Sequence, residues 1–316
     1  MITAPPRPYP GRVIGQVDGP IRQAAFDWLT DRRDTHGESL TRATLENEFL
    51  VQGIRIPLVG PQGIWKPAQC ELPLSVTTIS DGPYADAFDS SSGVLRYAYR
   101  GVDPNHRDNR GLRRAGELRT PLAYFLGLGQ ARYAAAYPVF VVRDNPASLF
   151  FDLQVDDIGA TQLTSSSGVS WTAEDPEPRR AYITTTAKRR LFQAAFRQRV
   201  LRAYRESCAL CRLRHPELLD AAHITPDADE LGDPFVSNGL ALCKLHHAAF
   251  DGYFFTVRPD YRIEVRPSIL SEVDGPMLVV GLQDIHGKLI ELPHRPEQRP
   301  DASRLEKRLA VFRAAS

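Results

Sequence analysis

Three of the four cysteines stand at spacings that suit a bound metal ion. Cys208 and Cys211 are separated by two residues, and Cys243 and His246 repeat that spacing further along the chain. Each pair can place two ligands on one tetrahedral ion, and three thiolates with one imidazole suit zinc. Four protein ligands leave no open coordination position. The spacing therefore predicts a structural zinc ion that ties the start of this segment to its end.

A second set of polar residues lies between and directly after these pairs. Asp220 and His223 flank two alanines in an apolar stretch, Asn238 precedes a glycine and another apolar stretch, and His247 and Asp251 are one helical turn apart. A neutral histidine can take a proton from water at pH 7. Carboxylates and imidazoles can bind a divalent cation that stabilises charge on a phosphate. These residue types fit hydrolysis of a phosphodiester bond.

The order and spacing of these motifs resemble the HNH (ββα-metal) endonuclease module, in the branch with (D/E)-A-A-H-I first and N-G-L-x-L-C-x-x-H-H last. The resemblance covers about 60 residues around the segment 208–255, within a module expected at about 195–265. It implies that His223 is the general base, that Asn238 orients the loop and the base, and that His247 binds one divalent ion, Mg²⁺ or Mn²⁺. Adjacent helix positions point about 100° apart, so His246 can serve zinc while His247 faces the catalytic ion.

The residue before the base departs from the family's pattern. Many members have Asp or His there as a ligand of the catalytic ion, whereas this chain has Ala222. Asp220 lies on the same face of a strand as Ala222, and Asp251 follows His247 by one helical turn. Either aspartate could complete the shell of the catalytic ion, and either could be structural, since Asp251 next to Gly252 could cap the helix. The sequence leaves this choice open.

The elements that must position these residues follow from the hydrophobic pattern. A helix is predicted over about 187–206, with an apolar stripe that includes Phe196 and Val200. Eleven Lys or Arg lie between Arg179 and Arg214 against a single acid, Glu206, so this block could follow a phosphate backbone or form a solvated helix face. A strand over 277–282 and a final helix around 301–314 complete the tail.

The N-terminal part has a different pattern of apolar and turn-forming residues. A helix is predicted over 18–36, and short apolar runs alternate with Gly, Pro, Asp and Asn over about 50–155, which is typical of a sheet-rich barrel. Residues 156–178 are polar and rich in Ser, Thr and Gly. The pattern predicts an α+β protein with a β-barrel domain at 1–155, a linker at 156–186 and a zinc-stabilised ββα-metal domain with a C-terminal extension at 187–316.

Segment 50–145 contains DGPYADAFDSSSGVLRYAYRG, DPNHRDNRGLRRA and TPLAYFLGL. The order Asp, Gly, Tyr, Gly, then Asp-Asn with a following Leu and Ala, then Pro and an aromatic residue, resembles the SRA (YDG) branch of PUA-like barrels. That resemblance implies recognition of a modified base, most often 5-methylcytosine or 5-hydroxymethylcytosine, flipped out of the duplex into an aromatic pocket. Tyrosines alternating along a strand are also typical of a barrel core. Candidates for the base pocket and DNA contacts are Asp81, Tyr84, Asp89, Tyr97, Tyr99, Arg100 and Asn109, with Arg107, Arg110, Arg113 and Arg114 for flanking phosphates.

The composition narrows the function class. The chain has a net charge of +1 and no apolar run near the length of a membrane span, and its N-terminus lacks the apolar stretch of a signal peptide, so we expect a cytoplasmic protein. The leading hypothesis is a modification-dependent endonuclease acting on double-stranded DNA, with a homodimer supplying two active sites. The alternatives are a zinc-stabilised DNA-binding or regulatory protein with a non-catalytic module, and an HNH nuclease that reads unmodified sequence.

Overall fold

The structure is a computed structural model that describes residues 18–79, 95–155, 176–225 and 235–314. Chain contacts divide the protein into two compact units, 1–191 and 192–316. Both units mix helices with strands, as the composition and the periodicity predict. Within the described ranges, no helix combines the length and the apolar character needed to cross a membrane.

The first unit contains three helices and nine strands in its described part. The helices are α1 (Gly19–His36), α2 (Arg42–Asn47) and α3 (Arg107–Glu117). The strands are β1 (Leu40–Thr41), β2 (Leu50–Val51), β3 (Ile54–Arg55), β4 (Ile64–Trp65), β5 (Ser75–Ile79), β6 (Leu95–Ala98), β7 (Leu122–Gly129), β8 (Arg132–Asn145) and β9 (Phe150–Val155). Helix α1 has a proline in its first turn and stops at Gly37, whose positive φ of 80° suits a residue without a side chain.

Seven of these strands form one curved sheet. Its order is β4-β5-β7-β8-β9-β6, with β1 paired to β8. Only the β5–β7 pair is parallel among the ladders of the described residues. The sheet bends so far that the Tyr97 hydroxyl on β6 donates to the Thr77 carbonyl on β5 at 3.5 Å. No ladder joins β4 to β6 in the described ranges, so the predicted barrel is seen only as a half-barrel.

A buried arginine fixes α1 on this unit. The Arg22 guanidinium is 1% exposed and donates to the carbonyl oxygens of Leu72, Pro73 and Pro121, and to the Asp18 carboxylate at 2.7 Å. Buried carbonyl oxygens need donors, and one forked guanidinium supplies three of them at once. The apolar side of α1 packs with the sheet in a core that includes Phe26, Leu29, Phe49 and Phe125.

The second unit carries the cysteines. Its described elements begin within α4 (Pro176–Ala203) and continue with β10 (Leu219–His223), β11 (Gly239–Cys243), α5 (Lys244–Asp251), β12 (Phe255–Val257), β13 (Ile263–Val265) and α6 (Ala302–Ala314). Helix α4 starts earlier than the predicted residue 187 and ends near the predicted end. The final helix agrees with the predicted one.

The prediction of a strand over 277–282 is wrong. Residues Pro276–Leu278 form a short helix, and Val279–Gln283 continue it as a π-helical turn. A short apolar run does not by itself distinguish a strand from a helix. Pro276 favours a helix start, and Met277 and Val280 are both 66% exposed, so the run is not a buried strand.

Candidate functional site

The site is built on one hairpin and the helix that follows it. Strands β10 and β11 pair antiparallel, with Leu219 opposite Cys243 and His223 opposite Gly239. Helix α5 begins directly after Cys243, so its first turns lie beside the hairpin. This ββα arrangement collects the polar residues of the sequence motifs into one unit.

Four ligand-type side chains converge at the junction of β11 and α5. The Sγ atoms of Cys208, Cys211 and Cys243 and a ring nitrogen of His246 all lie within 4.8 Å of one another. Cys211 Sγ is 3.9 Å from Cys243 Sγ, and His246 Nδ1 is 3.5 Å from Cys208 Sγ and 3.1 Å from Cys243 Sγ. Ligand bonds of about 2.0–2.3 Å around a tetrahedral zinc ion put neighbouring ligand atoms about 3.5–3.8 Å apart. The donor set and its spacing therefore fit a metal ion of that size.

Backbone contacts hold these ligands in place. The Cys208 N–H donates to the Leu213 carbonyl at 2.9 Å, which closes a tight turn around the first pair. The Ala209 N–H donates to the Ala241 carbonyl at 2.7 Å and attaches that turn to β11. His246 Nε2 lies 2.8 Å from the Gly281 carbonyl oxygen. A hydrogen bond there fixes the ring and leaves Nδ1 as the ligand atom.

The electrostatics of this cluster favour a bound cation. Burial lowers the pKa of His246, but the neighbouring sulfurs of Cys208 and Cys243 outweigh it and raise that pKa to about 10. The neighbouring Cys211 and Cys243 side chains lower the pKa of the Cys208 thiol. The cluster thus stabilises a thiolate beside a protonated imidazole. A metal ion could displace that proton and bind in its place.

A second polar group lies where β10 meets α5. His247 Nδ1 is 3.7 Å from Asp220 Oδ2, and His247 Nε2 is 3.3 Å from Asp251 Oδ2. The two aspartates therefore face opposite edges of one imidazole. One ring nitrogen can share an ion with one carboxylate while the other carboxylate orients the ring. The structure brings both candidate ligands to His247, and the choice between them depends on which nitrogen binds.

The electrostatics of the three side chains are coupled. The neighbouring His247 imidazole, helped by Arg197, lowers the pKa of Asp220. Asp220 in turn raises the pKa of His247 against partial burial, with a further contribution from Asp251. Each shift favours the charged form of its group, so the pair is stabilised as an ion pair.

Ala222 does not line this group. Its side chain is fully buried in the hydrophobic core of the second unit, together with Leu219 and Ile224. A carboxylate at that position would point into apolar surroundings. The missing ligand position of the family pattern is thus part of the core here, and the carboxylate beside His247 comes from Asp220.

Asn238 holds the backbone that follows His223. Its side chain is fully buried, its Oδ1 accepts from the Thr225 N–H at 2.9 Å, and its Nδ2 donates to the Thr225 carbonyl at 3.1 Å. The Ile224 N–H donates to the Asn238 carbonyl at 2.9 Å. These three bonds fix the two residues after His223.

Two arginines that the motifs do not include also support the site. Arg197 on α4 donates to Asp220 Oδ1 at 3.1 Å and to the carbonyls of Pro216 and Leu219 at 2.8 and 2.7 Å. This residue belongs to the basic block that could follow phosphates or form a solvated helix face, and its guanidinium is engaged within the protein. The helical position of Arg197 was visible in the sequence, while its partner was not.

Arg308 on α6 is the second of these arginines. It is 7% exposed, donates to the carbonyl oxygens of Ile224 and Phe250 at 3.3 and 2.5 Å, and its guanidinium carbon lies 3.6 Å from the Phe250 ring centroid. It thereby joins the end of β10 to the end of α5. No sequence signal marks it, since 84 residues separate Arg308 from Ile224.

The predicted base-pocket residues of the first unit are only partly described. Asp81, Tyr84 and Asp89 lie outside the described residues. Tyr97 and Tyr99 are 6% and 4% exposed, which favours the barrel-core interpretation for both.

Tyr99 is enclosed by its neighbours. Its ring stacks on Phe151 with centroids 4.5 Å apart, and its hydroxyl bonds to Asp144. Arg113, which donates to both Asp144 and the Tyr99 hydroxyl, is also occupied within the protein.

The remaining candidates surround α3. Asn109 is fully buried, and its side chain bonds to the backbone of Arg100 and to the Asp103 carbonyl, so it anchors the loop before α3. Arg100 pairs with Asp108. Exposed on successive turns of α3 are Arg107, Arg110 and Arg114.

Comparison with family sequence models finds a match, which lies in the second unit. The sequence model of the HNH endonuclease family matches residues 208–258, which contain the four metal-type ligands together with His223, Asn238 and His247. No curated protein matches the chain.

Two solved structures are similar over larger parts of the chain. A modification dependent TagI restriction endonuclease shares 16% identity at a TM-score of 0.30, over 87% of this chain and 93% of its own. The Type IV phosphorothioation-dependent restriction endonuclease ScoMcrA shares 17% identity at a TM-score of 0.23, over 60% of this chain and 47% of its own.

Replacing Cys208 by serine should remove the metal ion and unfold the second unit. Structural zinc contributes on the order of 10 kcal/mol or more of binding free energy, which exceeds what a small domain can lose. The measurement is metal content by atomic emission together with thermal unfolding. Cys70→Ser is the matched control, because Cys70 is a buried cysteine of the first unit outside the cluster. A folded Cys208→Ser protein with full metal content would contradict the assignment.

Replacing Asp220 by asparagine should lower the pKa of His247 towards its ordinary value, because Asp220 is the main cause of the upward shift. In the metal-free protein the ion pair stabilises the fold most between about pH 3.9 and 6.5, the unfolded values of the two groups. That stabilisation is lost as pH falls through the lowered pKa of Asp220 or rises through the raised pKa of His247. An NMR titration of the His247 ring measures the change, and an unchanged titration would refute the pairing.

Proposed function

We propose that the second unit hydrolyses phosphodiester bonds in DNA as a metal-dependent endonuclease. The observation that carries the proposal is the ββα unit itself. Asp220 on β10 stands beside His247 on α5, and His223 lies three residues further along the same strand, before a loop held by Asn238. This arrangement lies within the segment that matches the HNH endonuclease family.

In this proposal His223 is the general base. A neutral imidazole can accept the proton of the attacking water at pH 7. Asn238 keeps the following backbone in place and so fixes the end of the strand that carries the base. His247, with Asp220 or Asp251, would hold the divalent ion. Mg²⁺ or Mn²⁺ bound there would stabilise the negative charge that develops on the phosphate and the leaving oxygen.

We assign a separate, structural role to the zinc-type cluster of Cys208, Cys211, Cys243 and His246. Four protein ligands would fill a tetrahedral shell, which leaves no position for water or substrate. The cluster lies at the open end of the hairpin and at the start of α5. A bound ion would therefore hold the helix that carries His247 against the strands.

The non-catalytic alternative draws its main support from Ala222. Two observations weigh against it. The side chain at this position is in the core, and the carboxylate of Asp220 takes a place beside His247. The chain therefore retains an imidazole–carboxylate pair of the kind that binds a hard divalent cation.

For the first unit we propose a role in reading double-stranded DNA that carries a modified base, with 5-methylcytosine or 5-hydroxymethylcytosine as the leading substrates. The support is the resemblance of segment 50–145 to SRA barrels and the exposed arginines on α3, which could contact phosphates. Because Tyr97 and Tyr99 are buried, contact with the base would fall to Asp81, Tyr84 and Asp89. Cutting both strands requires two active sites or two successive cleavage events, and we propose a homodimer that supplies two sites.

Replacing His223 by alanine should reduce the cleavage rate at least about 100-fold, because general-base catalysis contributes about 10²–10⁴ in rate. DNA binding and metal content of the cluster should stay unchanged. Single-turnover cleavage of a plasmid with Mg²⁺ or Mn²⁺ measures the rate, and a mobility shift measures binding. Wild-type protein that binds DNA tightly but never nicks it would establish the non-catalytic alternative.

Cleavage should depend on the modification. Duplexes of one sequence that carry 5-methylcytosine, 5-hydroxymethylcytosine or unmodified cytosine are compared at fixed salt, because phosphate contacts make affinity salt-dependent. We expect cleavage of a modified duplex and none of the plain one. Equal cleavage of all three would favour a nuclease that reads ordinary sequence.

A further inference from the structure

One face of the His223 ring is covered by an aromatic ring from outside the motif. Phe196, on α4, stacks on His223 with ring centroids 4.0 Å apart and planes 13° apart. Phe196 is 2% exposed and precedes the segment that matches the HNH family. The contact joins a helix residue to the proposed base across 27 positions of the chain.

The glycine after Asn238 makes room for this stack. Gly239 is the cross-strand partner of His223. A Cβ atom on Gly239 would lie 2.8 Å from Phe196 Cζ and 2.4 Å from Val200 Cγ2, closer than side-chain atoms approach. A larger residue would therefore push α4 and the Phe196 ring away from the hairpin, at the pair that carries the base.

A contact on the ring face suits a general base. The two ring nitrogens lie in the plane of the imidazole, so a partner stacked on the face restricts rotation of the ring without occupying either nitrogen. A hydrogen-bonded partner would instead use one of them. Reacting groups must be held close to the productive geometry, and small displacements can cost about 100-fold in rate.

The same turn of α4 also holds the other polar residue of β10. Arg197, the next residue along, donates to Asp220 Oδ1 and to two carbonyl oxygens just before and within the strand. Two consecutive helix residues thus contact the two functional side chains of β10. Ordinary core packing explains the burial of Phe196, but not a parallel stack on a polar ring opposite a glycine.

We propose that Phe196 is a positioning residue, whose ring sets the orientation of the His223 imidazole and for which Gly239 provides the space. The inference rests on the proposed function of His223 as the base. It extends the working site from the HNH motifs to α4, which lies before them in the chain.

The test compares Phe196→Leu with Val200→Ala in the full-length protein. Both remove buried volume from α4 next to Gly239, but only the first removes the stacked ring. We expect Phe196→Leu to lower kcat about 10- to 100-fold with KM and DNA binding unchanged, whereas Val200→Ala keeps kcat near the wild-type value. Equal losses of kcat in the two variants would overturn the proposal, because they would show a packing effect alone.

Gly239→Ala provides a second variant that leaves Phe196 in place. It should lower kcat by displacing the ring, and the double variant with Phe196→Leu should be no slower than Phe196→Leu alone, since both act through one contact. Additive losses would overturn the proposal. If Phe196→Leu is too unstable to assay, Gly239→Ala alone still tests the proposal. It must lower kcat while KM stays unchanged.

An NMR measurement of the His223 ring separates this inference from the nuclease assignment. A stacked phenyl ring displaces the imidazole proton resonances of His223, so these signals should shift in Phe196→Leu and stay in place in Val200→Ala. Unshifted signals in Phe196→Leu would refute the stack whatever the nuclease activity. A shift of the expected kind in a protein that cuts no DNA would leave the stack intact and refute the proposed function.

Discussion

The second unit depends on the convergence of three sulfurs and one imidazole from separate parts of the chain. Cys208 and Cys211 come from a turn before the hairpin, Cys243 ends β11, and His246 lies in the first turns of α5. The other nitrogen of His246 is held by the Gly281 carbonyl from the π-helical turn. Four segments are thus fixed at one point. In the described part of this unit the strands are short, and they form two sheets of two strands each. A hairpin of that size is marginal alone, so the cluster and the core around it must hold it.

The group proposed for catalysis depends on this arrangement. Once α5 is fixed at Cys243 and His246, its next residue, His247, faces Asp220 across the hairpin, and Asp251 lies a turn further along. Support from the other sides comes from Asn238 on the backbone after β10, Arg197 on Asp220, and Arg308 on the carbonyls that end β10 and α5. The groups proposed for catalysis are thereby held by backbone hydrogen bonds and by two guanidinium groups.

Sequence reasoning succeeded where the information is local. The paired Cys and His spacings, the two histidines on adjacent helix positions and the apolar stripe of α4 all depend on residues within a few turns of one another, and the structure groups them as expected. It failed at 277–282, where an apolar run without clear periodicity forms helical turns instead of a strand. The half-barrel of the first unit was predicted as a barrel because alternating strands indicate a curved sheet but do not show whether its edges meet.

By itself, then, the amino-acid sequence determined the ligand set, the motif order and the identity of His223, Asn238 and His247 as the candidate site. Tertiary structure alone decided which partners these residues have. It placed Ala222 in the core, set Asp220 and Asp251 on opposite edges of His247, and brought Phe196 and Arg308 to the end of β10. The physical reason is that ligand spacing follows from local chain geometry, whereas a stacked ring or a buried guanidinium depends on how distant helices pack, which no local pattern records.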